Sequence, residues 1–452
     1  MDMNCMDEYI RNVLEQVRCR KAHEMIEEEI RNHMEDQAEA NVAEGMSRSE
    51  ALEEAVRDMG DPIEVGIAMD RIHRPALAWD MVLLAAVISI AGIIIHIAIG
   101  SNRMESFRFA FHTILGFGTM LFIYRLDYTV IAKYAKLIAG FMIGVSVLAV
   151  SGWGLMINGR VSHIYISGIS ISLFAMLMLY VPVYAAVLYQ YRGSGRKGIV
   201  LALIWVIIPV VTALRMPSLN LAVILLFSMA VVLSIAVYKG WFRIAKRRMI
   251  LLLWGVIAGG PAVFLGIAIK CHWLADYQMA RLKAIFGQGE ESYLRKILRT
   301  LLSESSMIGG SSSDTVRQML DNPTFEYSRD YIFVYLIAAY GMLAGLLVFG
   351  ILVFLTVRIF RISLNQKNEL GMLVGCGCGT VFCCNVIINI MMSMGFLPAA
   401  QSYLPFFSAG GSNIVVSYIM LGIILSIYRY KNILPAHTQR TPKRGRMPII
   451  RG

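Results

Sequence analysis

Ten long apolar stretches with almost no acid in them constrain this chain more than any other feature. Beyond residue 75 there are only twelve carboxylates in 377 residues, and eight of these fall between Lys270 and Asp330. A hydrocarbon core offers no water to a charge, so ionisable groups persist there only when buried in protein or lining a wet cavity. Each stretch is long enough for a helix crossing a core that needs about 20 residues. They fall at 81–99, 107–124, 135–155, 165–189, 196–214, 218–238, 247–269, 331–356, 371–393 and 407–428. The expected fold class is all-α, a polytopic membrane protein with ten transmembrane helices, preceded by a small soluble helical domain.

Basic residues orient the crossings. With the N-terminus inside, the inner connections receive Arg125, Lys133, Lys136, Arg192, Arg196, Lys197, Lys239, Arg243, Lys246, Arg247, Arg248, Arg358, Arg361, Lys367 and seven more from Arg429 to Arg451. The short outer connections receive Arg103, Arg108, Arg160 and Arg215. Twenty-one against four predicts a multi-pass protein with both termini cytosolic and the 270–330 loop outside. Residues 1–75 hold nineteen acids and nine bases, too charged for a cleavable signal. The formal charge of +11 is therefore a prefix of −10 and a remainder of +21. That pattern belongs to topology and lipid headgroups and gives no case for nucleic-acid binding.

The prefix, residues 1–75, reads as four short helices. Ile10, Val13, Leu14 and Val17 share a face, and Ile26, Ile30, His33 and Gln37 are expected to continue one on a second helix. Gly45 ends that helix, Ser47 to Glu50 forms a capping box, and Gly60-Asp61-Pro62 stops a third helix and starts a fourth. The membrane domain then covers 76–430, and 431–452 is a basic cytosolic tail. Cys376, Cys378, Cys383 and Cys384 lie in a Gly-rich apolar stretch, where small residues at helix contacts explain them better than a metal box.

Two signals mark the loop. Leu294, Ile297, Leu298 and Leu301 share one helical face while Arg295, Lys296 and Arg299 carry charge, a pattern suited to the headgroup boundary. The loop ends in Asp330-Tyr331-Ile332-Phe333 at the expected eighth span.

Here the sequence resembles the SEDS (shape, elongation, division and sporulation) family of RodA, FtsW and SpoVE glycosyltransferases. The family's Asp-Phe-Ile-Phe appears as Asp330 to Phe333, with Gly341 and Gly345 following. Its loop start appears as Tyr277, Gln278 and Arg281. Its signature before and into the last span appears as Asn389-Ile390, Gly395 to Pro398, Tyr403 to Phe406 and Ser408-Ala409-Gly410-Gly411-Ser412. The prefix string Glu29 to Gln37, with Met59 to Pro62, is similar to the helical prefix ahead of some bacterial permease-like proteins.

The resemblance implies polymerisation of lipid-linked disaccharide-peptide (lipid II) at the outer face of the bacterial cytoplasmic membrane, in cell-wall synthesis for shape, division or sporulation. A class B penicillin-binding transpeptidase is the implied protein partner, beside membrane lipids. Asp330 is the implied catalytic base. Tyr277, Gln278, Arg281, Arg295, Lys296, Arg299, Ser408, Gly410, Gly411 and Ser412 are the implied substrate-binding residues. No dedicated metal site or cofactor is expected, although a divalent cation, Mg or Mn, at the pyrophosphate is compatible with the chemistry. The chain also departs from the family pattern. The fourth-span acid has no equivalent, Met216-Pro217-Ser218 replaces Gln-Pro-Asp, and Ala338-Ala339 replace paired glutamates. A precursor flippase and a catalytically inactive cell-wall scaffold are the alternative readings.

Overall fold

The computed structural model describes residues 3–99, 103–157, 160–166, 169–272, 279, 293–320, 330–397 and 401–433. Chain contacts divide these into two compact units. The first holds the residues up to Ala78 together with Gln366–Glu369 and those from Ile427 onward; the second holds Trp79–Asn365 and Leu370–Ser426.

Four helices build most of the first unit: α1 (Met3–Gln16), α2 (His23–Ala43), α3 (Arg48–Asp58) and α4 (Pro62–His73). Val13, Val17, Ile26, Ile30 and Met34 are buried among them. The buried stripe of α2 runs Ile26, Ile30, Met34, Ala38, which corrects the expectation that His33 and Gln37 continue it; both are exposed. Each step of four advances the stripe by about 40° around a 3.6-residue helix, so the buried line winds about the axis and leaves His33 and Gln37 on the solvent side. The Ser47 side chain accepts from the Glu50 N–H and Glu50 reaches back to Ser47, closing the capping box. Gly66 lets α4 meet α1, because a Cβ there would lie 2.7 Å from the Val13 carbonyl oxygen. The end of the chain joins this unit. Ala76 N–H donates to Arg429 O at 3.1 Å, and the Lys21 ammonium sits 4.7 Å over the Tyr430 ring.

In the second unit, α5 (Trp79–Ile99), α6 (Arg103–Arg125) and α8 (Ala135–Leu148) make the first crossings, with α7 (Thr129–Lys133) between the last two. A three-stranded antiparallel sheet follows, in the order β1 (Leu155–Ile157), β2 (Arg160–Ile166), β3 (Ile169–Ser172). The expected fourth span therefore starts late. Ile169-Ser170-Ile171-Ser172 alternates with period two, a strand pattern, and Ser172 caps α9 (Leu173–Met178), which runs into α10 (Tyr180–Gln190). Every residue from Tyr180 to Tyr189 is buried, so α10 is a central helix of this unit. Next come α11 (Gly195–Arg215), α12 (Leu219–Tyr238) and α13 (Lys246–Lys270). The outward residues of the early spans are apolar, with Leu83 67%, Leu137 72% and Phe141 69% exposed, as a lipid solvent requires.

The expected eighth span is not one helix. It breaks at Gly341 into α16 (Ile332–Tyr340) and α17 (Met342–Leu364), preceded by α14 (Tyr293–Ser303) and α15 (Asp314–Leu320). Gly341 has φ +95°, and a Cβ there would meet Met307 O at 2.8 Å. The loop segment beside it satisfies the interrupted backbone. Met342 N–H donates to Ser306 O, Leu343 N–H to Met307 O, Gly309 N–H to Tyr340 O and Ser311 N–H to Ala338 O, at 2.9 to 3.2 Å. Gly345 lets α16 fold against α17, since a Cβ would lie 2.5 Å from Ile337 Cγ1. The final crossings are α18 (Glu369–Ser393) and α19 (Gly411–Arg429). Among the described residues nine helical spans are long and apolar enough to cross a membrane, and α13 adds a 25-residue helix over the expected seventh.

The amphipathic α14 is also corrected. Ile297, Leu298 and Leu301 are buried against Val316 of α15 and Val334 and Ala338 of α16, so its apolar face covers protein rather than headgroups. On α18, a Cβ at Gly379 would lie 3.1 Å from Ile359 and one at Gly377 3.4 Å from Val181, the close helix contacts expected of that Gly-Cys stretch.

Removing the Ser47 cap is expected to destabilise α3 by about 1 kcal/mol. In Ser47→Ala, hydrogen exchange of the α3 amides at constant pH should quicken about fivefold, with α2 less affected. Glu50 is held below the usual carboxylate range by its bonds to Ser47. Its contribution is therefore present above the ordinary glutamate range and lost as pH falls through the lowered value.

Candidate active site

Asp330 is half-buried, one residue before Tyr331, the N-cap position of α16. The first turn of that helix presents unpaired N–H groups, which favour a negative charge beside them. The position of Asp330 is fixed through its main chain. Asn389 of α18, fully buried, donates from Nδ2 to Asp330 O at 3.0 Å and to Ser402 Oγ at 3.3 Å. One amide thus ties together the end of the loop, a spanning helix and the segment leading into α19.

That last segment is held from several sides. Ser408 Oγ accepts from Leu404 N–H at 2.7 Å and Ser408 N–H donates to Leu404 O at 3.0 Å, folding 404–408 into a closed turn. Inside the turn Phe406 has φ +68°, a conformation costing a non-glycine residue about 1–2 kcal/mol. Its ring packs between Phe382, stacked at 5.6 Å, and the edge of Tyr418 at 5.0 Å. From α5, His96 Nε2 donates to Phe407 O at 2.7 Å, with its ring stacked on Phe109 at 3.7 Å. Asn220 at the start of α12 donates to Gln401 O at 3.2 Å.

The Gly410-Gly411-Ser412 run opens α19. Ser412 Oγ accepts from Ser172 N–H at 3.3 Å, which joins this turn to the start of α9. A side chain at Gly411 would press on the imidazole of His112 on α6, which would have to shift to admit a Cβ. His112 Nδ1 lies 2.6 Å from Arg108 O, and a carbonyl can only accept, so Nδ1 carries a proton and Nε2 turns toward Gly411. Ser408 therefore acts as a buried turn-former, while Gly410, Gly411 and Ser412 form the opening of a helix against a histidine.

The basic residues of α14 do not act as one cluster. Arg295 is half-buried and donates from Nε to Gly395 O at 2.8 Å, fastening α14 to the turn after α18, where Gly395 has φ +76°. Lys296 and Arg299 are exposed. Tyr277, Gln278 and Arg281 lie outside the described residues. The site thus joins Asp330 to the 402–412 segment through Asn389, and to α14 through the Gly395 turn. His96 and His112 were absent from the residues singled out in the sequence, and Asn389 was named there only within the Asn389-Ile390 motif, with no role assigned. The histidines carried no signal that separated them from core packing.

An α-helical membrane bundle with an interrupted span, and an acid at the head of the shorter piece, defines the general class of protein. The cell cycle protein family of FtsW, RodA and SpoVE matches residues 73–433. The chain belongs to this family, the SEDS proteins. It is 26% identical over 387 residues to a probable peptidoglycan glycosyltransferase FtsW of Alcanivorax borkumensis, covering 78% of this chain and 92% of the relative. It is 25% identical over 339 residues to the stage V sporulation protein E of Bacillus subtilis, covering 72% and 88%. Among solved structures, a chain from a peptidoglycan synthase complex that coordinates polymerisation and crosslinking has the same fold, with TM-score 0.65, 19% identity, and 78% and 98% covered.

The packing of Gly411 on His112 sets a test. Gly411→Ala should lower the melting temperature in detergent, since overpacking costs about 1–3 kcal/mol. Adding His112→Ala should restore most of the loss by vacating the same volume.

Proposed function

We propose that this protein is a peptidoglycan glycosyltransferase that polymerises lipid-linked disaccharide-peptide at the outer face of the cytoplasmic membrane. The reading draws on the activity named for its relatives. The observation that carries it to this chain is Asp330. It is a half-buried acid at a helix start, with its main chain held by a buried amide, in a molecule whose spans are otherwise almost free of acid.

In this reading Asp330 takes the proton from the acceptor sugar hydroxyl as its oxygen bonds to the anomeric carbon of the donor. The bond from that carbon to the lipid pyrophosphate breaks, and the pyrophosphate leaves as an anion. Both substrates are anchored in the membrane, so a base fixed at the head of a broken span meets them without a diffusional search. Lys296, Arg299 and Arg281 are the cations proposed to face the departing pyrophosphate. Arg295 serves the site by fastening α14 instead. Among the described residues no group of three or more His, Cys, Asp or Glu side chains lies together as a metal cage; no step here is routed through Mg or Mn, which at the pyrophosphate would take its oxygen ligands largely from substrate and water.

The inactive-scaffold reading has one observation in its favour. Ala338, at a position where the family pattern has a glutamate, is fully buried in the apolar contact between α14, α15 and α16. No carboxylate could be accommodated there without unpacking that cluster. A class B penicillin-binding transpeptidase is the proposed partner, in keeping with the crosslinking complex of the structural neighbour.

Purified protein with lipid-linked disaccharide-peptide should yield polymer, and Asp330→Asn should lower its rate about 10²- to 10⁴-fold while substrate still binds. Arg281→Ala should weaken substrate engagement instead. Wild-type activity in Asp330→Asn removes the enzyme reading. Wild-type protein that makes no polymer across substrate variants favours the scaffold.

The proposed orientation puts both termini in the cytosol. With Cys271 replaced by Ser, Ser312→Cys in intact cells should react with an impermeant thiol reagent and Ser194→Cys should not. Equal labelling of the two would overturn it.

A further inference from the structure

We infer that Asn389 is the positioning residue for the catalytic acid: its side-chain amide sets the place of Asp330 by holding the Asp330 main chain to the 402–408 turn. The inference rests on the reading of Asp330 as the base.

Two observations point the same way. Asn389 is fully buried in the middle of an apolar run, where a polar amide persists only if its bonds are needed. Its bonds to Asp330 O at 3.0 Å and to Ser402 Oγ at 3.3 Å both leave from Nδ2, so one atom joins two elements outside its own helix.

The neighbouring Asn385 is the internal contrast. It lies one turn earlier on the same helix and donates to Val381 O at 2.9 Å and to Met178 Sδ at 3.7 Å, bonds that reach neither Asp330 nor the 402–408 turn. Asp330 itself stands just outside α16, so helix bonding does not fix the direction of its peptide. The Asn389 bond holds that peptide from α18. A general base working over about 3 Å loses rate steeply when displaced by even 1 Å.

The test is a double-mutant cycle in the full-length protein, reconstituted with lipid-linked disaccharide-peptide. Asn389→Asp keeps the shape and removes the donor; Asn389→Ser shortens the side chain. Each should lower kcat about 10- to 100-fold with KM and detergent melting temperature nearly unchanged. In the Asp330→Asn background the same substitutions should cause no further loss, because a residue acting through Asp330 has nothing left to position.

The result that overturns the inference is a full, multiplicative loss from Asn389→Asp on top of Asp330→Asn, or no loss in the single variants. A parallel fall in melting temperature and activity for both single variants would mark Asn389 as a purely structural residue, and also overturns it. Failure of the underlying reading looks different, since there Asp330→Asn alone keeps wild-type rate. Ser402→Ala gives a further check. It removes only the second acceptor and should lower kcat less than Asn389→Asp does; an equal or greater effect would place the control at Ser402.

Discussion

A broken helix inside an apolar bundle must find partners for the backbone groups the break exposes. At Gly341 those partners come from residues 306–311, whose carbonyls and amides pair with residues 338–343. The rest of the site depends on that exchange. It turns what would be one long span into α16 and α17, places Asp330 at the head of the shorter piece, and brings α14 and α15 down onto its apolar face. Without the pairing, several backbone groups would lie unsatisfied in a low-dielectric setting, each costing several kcal/mol.

The site has few charges and many main-chain bonds. Phe407, Gln401, Gly395 and Asp330 are each held through a carbonyl, by His96, Asn220, Arg295 and Asn389 respectively. Side chains from four different elements thus clamp loop backbone, which suits a catalyst for two bulky lipid-linked substrates. The strained Phe406 conformation is kept in place by its packed ring. Such strain persists only where the surroundings over-determine it.

This architecture also bears on how the chain tolerates its departures from the family pattern. Ala338 faces a packed apolar cluster and the Ser311 bond to its carbonyl uses the main chain alone, so the loss of a glutamate there leaves the helix break intact. The Asn389 bond to the Asp330 main chain involves none of the altered side chains.

Much of the fold was legible in the sequence because the membrane imposes a coarse and unforgiving code. Apolar length fixed the spans and Ser47 with Glu50 fixed a helix start, while Asp330 and the Gly410-Gly411 run were marked by the family resemblance alone. Three things required the tertiary structure. The break at Gly341 was hidden because a glycine in an apolar run reads the same whether the helix continues or unwinds; the choice rests on Met307 and Gly309, more than thirty residues away in sequence. The apolar face of α14 gave no sign of whether lipid or protein covers it, since both are equally apolar, and Val334 and Ala338 decided the matter. The role of Asn389 was invisible for a related reason: an amide can bond its own helix, as Asn385 does to Val381, or reach loop backbone in another element. Only the approach of Asp330 and Ser402 distinguishes the two.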